Sequence, residues 1–420
     1  MPALREGHAV HDAAAGLPQT TGSTPVIDAG VGDGRTPTGR DGRMTGTMRA
    51  ARWHGRGDVR IDDVAIPTVG QGEVLLRVSW CGICGTDLEE YRDGPVVIPV
   101  DHPNALTGQQ APITLGHEFA GEVVAVGPGV EGLAVGDRVA PETCLFCGEC
   151  WYCRRHQYAL CISWAAIGLH GDGGLAEYVK VPGRTCVRLP DSIGDDEAAL
   201  IETTEVAVRA IRKSGIRLGD SVAIVGDGAV GLITLQVARA AGATTTILLG
   251  HRAARLELGR RLGADAAINS RDPAWLEEVR DLTGGLGADV AIECGGRAEA
   301  IGDSIVATRK GGMVVLLAVI GVPIPVNTWP IVEGERTVIG SVQHHFDEDL
   351  PVAVRLIASG RVDVRPLITR RIALERVVED GFAAPPSAGS DIKVLVSTRQ
   401  PVDGQGDSRG GPRSEGEGQG

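Results

Sequence analysis

Ser221-Val222-Ala223-Ile224-Val225-Gly226-Asp227-Gly228-Ala229-Val230-Gly231 is the stretch on which the fold turns. A short apolar run of strand type enters a Gly-x-Gly-x-x-Gly turn, and the turn opens an apolar-faced helical run, Ala229 to Ala241. The three glycines alone are a weak signal, and an ordinary glycine-rich turn would share them. The strand before and the helix after make the pattern specific for a dinucleotide-binding turn. Gly226 permits the tight turn, Gly228 lets backbone approach a pyrophosphate, and Gly231 lets helix and strand pack closely. The pyrophosphate would rest on the helix N-terminus beside Val230, where free N–H groups and the dipole favour an anion.

Outward from this turn the period of the chain supports the same architecture. Upstream, Ala198 to Lys213 reads as a helix closed by Ser214-Gly215. Downstream, Thr245 to Leu249, Ala288 to Glu293 and Gly312 to Val319 read as further strands with helices between them. Strands alternating with helices predict a doubly wound parallel sheet of Rossmann type, covered on both faces. The end of the second strand selects the cofactor. NAD enzymes place a carboxylate there for the ribose 2′-hydroxyl. Here the strand runs into Gly250-His251-Arg252. The glycine makes room, and Arg252 can pair with a 2′-phosphate, so NADP is expected, with NAD possible.

The first part of the chain has a different pattern. Gly72 to Val78, Phe119 to Val126 and the turn Gly136-Asp137 into Arg138-Val139 read as short strands separated by Gly/Pro turns. They predict a β-rich domain, a distorted barrel. The chain returns to it at its end, on Ile392 to Val396. The expected organisation is a disordered extension over 1–47, a catalytic domain over 48–205 and 345–398, a nucleotide-binding domain over 206–344, and a disordered tail over 399–420.

Bulk properties exclude several classes. The chain has 420 residues, 54 acidic against 41 basic, and a pI near 5.3. That balance argues against nucleic acid as a partner, since phosphate binding needs a basic face. No apolar run reaches membrane-spanning length, and the N-terminus lacks the apolar stretch of a signal peptide. The nine cysteines are therefore expected in a reducing compartment, the cytoplasm, where clustered thiols serve metals more often than disulfides.

Four of them, Cys147, Cys150, Cys153 and Cys161, are spaced C-x2-C-x2-C-x7-C, which suits a closed, structural four-sulfur zinc. Cys144 extends the x2 spacing backwards, so the register Cys144, Cys147, Cys150 and Cys153 is an alternative. A sparser set lies upstream: Cys84 in Gly-Ile-Cys-Gly-Thr-Asp and His117-Glu118 in Gly-His-Glu-Phe. Cys, His and carboxylate are the ligand types of a catalytic zinc with one open position.

Together these motifs resemble the zinc-dependent medium-chain dehydrogenase/reductase family of alcohol, sorbitol and 2,3-butanediol dehydrogenases. The resemblance rests on GICGTD, GHEFAGEVVAVG, GDRV, CGECWYC with Cys161, and DEAALIE followed by GDGAVG. It runs from about Met48 to Val396 and implies a GroES-like catalytic domain beside the Rossmann domain. It implies that Cys84 and His117 ligate a catalytic zinc, with Glu118 a ligand or exchanging with water, and Glu202 a further carboxylate at the metal or its water. It implies that Asp87 orients a ligand histidine, that Thr86 takes the substrate proton, and that Cys147, Cys150, Cys153 and Cys161 hold the structural zinc. It also implies a small alcohol, diol or ketone substrate and a homodimer or homotetramer.

The chain departs from the family pattern at three places: Glu89 stands where the butanediol branch usually has a relay histidine, Thr203-Thr204-Glu205-Val206 follows Glu202, and Gly250 closes the second strand. The residues thus lead to a zinc-dependent, NADP-linked oxidoreductase for a secondary alcohol, vicinal diol or polyol. The alternatives are the same chemistry with NAD on a sorbitol- or threonine-type substrate, a zinc-free reductase, and a non-enzymatic zinc-ribbon binding protein.

Overall fold

The computed structural model describes residues 46–320, 323–384 and 391–399. The extension expected over 1–47 and the tail over 399–420 lie outside these residues, except for 46, 47 and 399.

The strand Ser221–Val225 is central to a six-stranded parallel sheet. Thr245–Gly250 and then Ala266–Asn269 lie on one side of it; Ala288–Glu293, Thr308–Leu316 and Thr337–Gly340 lie on the other. Val222 to Val225 are all buried, as a strand covered on both faces requires. Helices Ala229–Ala240, Ala253–Arg261, Trp275–Leu282 and Ala298–Ala307 make the crossovers. Helix Ile201–Ser214 packs on Ala229–Ala240 and on Leu350–Ala358, and it ends at Gly215 in the left-handed conformation, φ 67°. The two directions of strand order part between Ser221–Val225 and Ala288–Glu293, where a doubly wound sheet opens a crevice.

One strand differs from its sequence reading. The strand expected from Gly312 to Val319 spans Thr308–Leu316. Its polar start, Thr308 to Lys310, carries no apolar signal. It stops early because the Ala318 N–H turns to the Glu293 side chain, 3.3 Å away.

The other large sheet is mostly antiparallel and β-rich, as expected. Its order is Cys186–Arg188, Arg138–Pro141, Glu118–Val126, Glu73–Gly82, Lys393–Ser397 and Ile368–Ala373, with Tyr178–Pro182 also paired to Glu73–Gly82. Thr47–Gly55, Asp58–Ala65 and Ile113–Thr114 form a small sheet of their own. The C-terminal strand Lys393–Ser397 pairs antiparallel with Glu73–Gly82, so the chain does return to its first sheet.

Candidate active site

Strand register gathers the first group of residues. Gly82, at the end of its strand, lies opposite Glu118 on one side and Leu395 on the other. Cys84, His117, Glu118 and Lys393 therefore meet at one end of the sheet. Helix Gly85–Asp93 starts immediately after Cys84, and the Cys84 N–H donates to Asp87 Oδ2 at 2.9 Å. The other Asp87 oxygen lies 3.5 Å from His117 Nδ1, and Asp87 is fully buried. Donor atoms of Cys84, His117 and Glu118 all lie within 4.8 Å of one another, and Thr86 Oγ1 is 3.9 Å from the Cys84 sulfur. Burial works against a charge on His117, but Asp87 and Cys84 outweigh it and hold its pKa well above the usual histidine range.

Glu118 has a partner that the sequence did not suggest. Both of its oxygens accept from Lys393 Nζ, at 2.7 and 2.6 Å, and both residues are buried. Burial lowers the Lys393 pKa, but Glu118 and then Cys84 raise it above its ordinary value. A ligand role for Glu118 therefore means exchange away from Lys393.

Glu202 has a partner of its own. It lies outside the Cys84–His117–Glu118 donor group and instead accepts from His344 Nε2 at 3.2 Å. Burial raises its pKa, but His344, His117 and Lys393 more than offset this and leave it lowered. Glu89 lies on the exposed side of its helix; partial burial, then Asp93 and Glu90, raise its pKa. That suits a group which exchanges protons with solvent.

The two registers of the cysteine loop differ in how their sulfurs cluster. Cys147, Cys150, Cys153 and Cys161 cluster within 4.8 Å, whereas Cys144 pairs in a short ladder with Ala166 and joins Glu142 and His344. Backbone N–H groups of Cys147, Cys150, Cys153 and Ser163 point at the sulfurs at 3.3 to 3.5 Å. The N–H groups of Cys153 and Ile162 hold the Cys150 thiol down at about 6, while burial and Cys150 push Cys153 up to about 12. Phe146 at the foot of the loop stacks on Phe346, 5.5 Å between centroids.

A cleft opens at the crevice of the parallel sheet. It has a volume of about 410 Å³ and is lined by Gly226, Gly228, Gly250, His251, Arg252 and Arg297, among others. A Cβ on Gly231 would lie 2.0 Å from the Gly226 carbonyl oxygen, so helix and strand touch there as the fingerprint requires. Val230 is half-buried in the first turn of the helix.

The second strand runs into Gly250-His251-Arg252, yet a carboxylate does reach its end. Asp227 reaches it from inside the fingerprint. Its Oδ2 accepts from the N–H groups of His251 and Arg252, both at 2.9 Å. Its Oδ1 meets the Arg252 guanidinium at 3.0 Å and that of Arg255 at 3.7 Å. The absence of a side chain on Gly250 makes this possible, because a Cβ there would lie 2.5 Å from that of Asp227. Arg252 is thus held in place by Asp227 rather than free.

Three residues escaped the sequence reading. An acid inside the glycine turn together with a glycine at the next strand's end would have pointed to Asp227. A single lysine in the apolar run Ile392 to Val396 would have pointed to Lys393. For His344, the His344-His345 pair was the only signal.

Residues 70–191 match the alcohol dehydrogenase GroES-like domain, and residues 229–359 match the zinc-binding dehydrogenase domain. The chain is 37% identical over 352 residues to (R,R)-butanediol dehydrogenase of Bacillus subtilis, covering 83% of this chain and 99% of that protein. The chain belongs to the zinc-dependent medium-chain dehydrogenase/reductase family. Sorbitol dehydrogenase of B. subtilis is another member, 34% identical over 83% of this chain and 97% of its own length.

Among solved members, B. subtilis 2R,3R-butanediol dehydrogenase superposes with a TM-score of 0.77 at 36% identity, covering 83% of this chain and 99% of its own. A zinc-binding dehydrogenase from Sinorhizobium meliloti, bound to NADP, gives 0.76 at 35%, covering 84% and 99%. The chain is therefore a dehydrogenase, which removes the reading as a non-enzymatic zinc-ribbon protein. Among the described residues, no helix is long and apolar enough to cross a membrane. The donor set at Cys84, His117 and Glu118 fits the zinc of this family in ligand type and spacing, and the four-cysteine loop fits a second.

Proposed function

We propose that this dehydrogenase transfers hydride between a vicinal diol or other secondary alcohol, of 2,3-butanediol type, and NADP(H). The observation that carries the reading is the Cys84, His117 and Glu118 donor group beside Thr86 at the end of the first sheet. Zinc held there would supply a Lewis acid for the substrate oxygen, and a bound nicotinamide would supply the hydride acceptor. Cys84 and His117 hold the metal. Asp87 fixes the His117 ring. Glu118 is a ligand when it leaves Lys393, or exchanges with water. Glu202 faces the site from its partner His344. Thr86 takes the hydroxyl proton, and exposed Glu89 passes it to solvent in place of a histidine.

The helix N-terminus at Gly226, Gly228, Val230 and Gly231 takes the pyrophosphate. Gly250, His251 and Arg252 take the adenosine end, and Arg252, steadied by Asp227, pairs with a 2′-phosphate. The NADP seen in the S. meliloti relative supports this assignment, and the butanediol relatives support the substrate class. Residues 48–205 with 345–398 serve as the catalytic domain and 206–344 as the cofactor domain, in a homodimer or homotetramer that sedimentation would read.

One observation favours a second reading. The Asp227 carboxylate lies at the strand end where NAD enzymes bind the ribose hydroxyl, which fits an NAD-linked enzyme for sorbitol- or threonine-type substrates. Initial rates on diols, polyols and threonine with each cofactor separate the two. Faster turnover with NADP on 2,3-butanediol is expected; a strong NAD preference on sorbitol or threonine would replace the first reading with the second.

A further inference from the structure

A third set of metal-type donors lies apart from the Cys84 group and the four-cysteine loop. Donor atoms of Glu142, Cys144 and His344 lie within 4.8 Å of one another. Glu142 and Cys144 flank the turn after strand Arg138–Pro141, and His344 follows strand Thr337–Gly340, so the two large sheets meet here. The Cys144 N–H donates to Glu142 Oε1 at 2.7 Å and fixes that carboxylate. His344 Nδ1 lies 2.8 Å from Glu142 and 3.5 Å from Glu205 Oε2. Glu205 is 0% exposed, and neither of its oxygens has a hydrogen-bond partner.

We propose that Glu142, Cys144, Glu205 and the Nδ1 of His344 bind a divalent transition-metal ion of zinc type, as a third metal site of the chain. Three arguments carry it. One thiolate, one imidazole and two carboxylates are zinc ligands, and thiolate with imidazole disfavours magnesium or calcium. Charge is the second. Among the described residues, the buried acids Glu142 and Glu205 form ion pairs with His344 and with no other cation, so two acids share at most one positive charge. Buried carboxylates without such compensation are costly, and a divalent ion supplies it.

Finally, metal-ligating histidines almost always give their other ring N–H to a carboxylate. His344 Nε2 lies 3.2 Å from Glu202. The third ion would thus hold His344, and through it Glu202, a residue placed beside the catalytic group.

The site is independent of the dehydrogenase reading, and so is its test. Full-length protein from zinc-replete medium is desalted and its metal content measured, for the wild type and for Cys144→Ser and Glu205→Gln. Three zinc ions per chain in the wild type and two in each variant are expected, one for each donor group. Glu205→Gln keeps side-chain volume and all thiolates, so it reports the site even where Cys144→Ser folds poorly. In the cobalt-substituted protein, Cys144→Ser should remove one of six cobalt–thiolate bonds from the charge-transfer absorbance.

A wild-type count of two falling to one in both variants also supports this site and counts against one of the other two. Equal zinc content in wild type and both variants, with an unchanged cobalt spectrum, would overturn the proposal.

Discussion

At position 227 an aspartate stands between two glycines and accepts bonds from two backbone N–H groups and a guanidinium. Burial alone would raise its pKa. The N–H groups of Arg252 and His251, and the charges of Arg252 and Arg255, win and hold it below the ordinary aspartate value. A depressed carboxylate contributes stability that is present above its unfolded value and is lost as pH falls through the folded one. Asp227→Asn should therefore lower stability at pH 7 by about 1–3 kcal/mol, the scale of a hydrogen bond to a charged group. The gap should begin to narrow as pH falls below about 4 and keep narrowing with further acid, as melting curves at several pH values would show; a gap constant down to pH 2 would contradict the charge argument. Arg252→Gln, chosen because a second carboxylate would clash with Asp227, should cut kcat/KM for NADP by about 10- to 100-fold and change that for NAD little. The glycines were legible because they encode local backbone shape. The reach of Asp227 was not, since it depends on a neighbouring strand 24 residues away.

The cysteine loop delivers its ligands from a short piece of chain and was visible in spacing alone; the helix Gly85–Asp93, which starts just after Cys84, was not. Helix and histidine share one aspartate: Asp87 caps the helix through one oxygen and faces His117 through the other. Asp87→Asn keeps an acceptor for the cap and loses the charge toward His117. It should lower kcat/KM or metal affinity by about 10- to 100-fold with little change in melting temperature; unchanged kinetics would limit Asp87 to capping. In the loop, Cys161→Ser should release one zinc and expose 146–164 to protease, while the parallel sheet keeps its circular dichroism. Retention of that zinc would return Cys144 to the ligand set. Spacing left that choice open because C-x2-C repeats through Cys144; only the ladder partner of Cys144, Ala166, and its neighbour His344 separate it.

Across the whole molecule, the residues that join distant segments were the ones hidden from the sequence. Lys393 meets Glu118 across 275 positions and His344 meets Glu202 across 142. Neither contact is encoded by local period; both follow from the C-terminal strand closing the first sheet and from the parallel sheet ending near it. The alternation that predicted the apolar strands of both sheets, such as Ser221–Val225 and Glu118–Val126, by contrast, is local and readable; strands such as Thr337–Gly340 and Ile368–Ala373 gave no such signal. Lys393→Met leaves a buried carboxylate unpaired, and urea unfolding should show a loss of about 3–5 kcal/mol. In the proposed function, these converging strand ends form a zinc-dependent, NADP-linked site for diols. Its most direct measurement is the initial rate of NADPH formation from 2,3-butanediol by zinc-loaded protein, beside the same assay with NAD. Turnover is expected, faster with NADP and lost on chelation. No turnover with either cofactor on diols, polyols or acetoin-type ketones would contradict it.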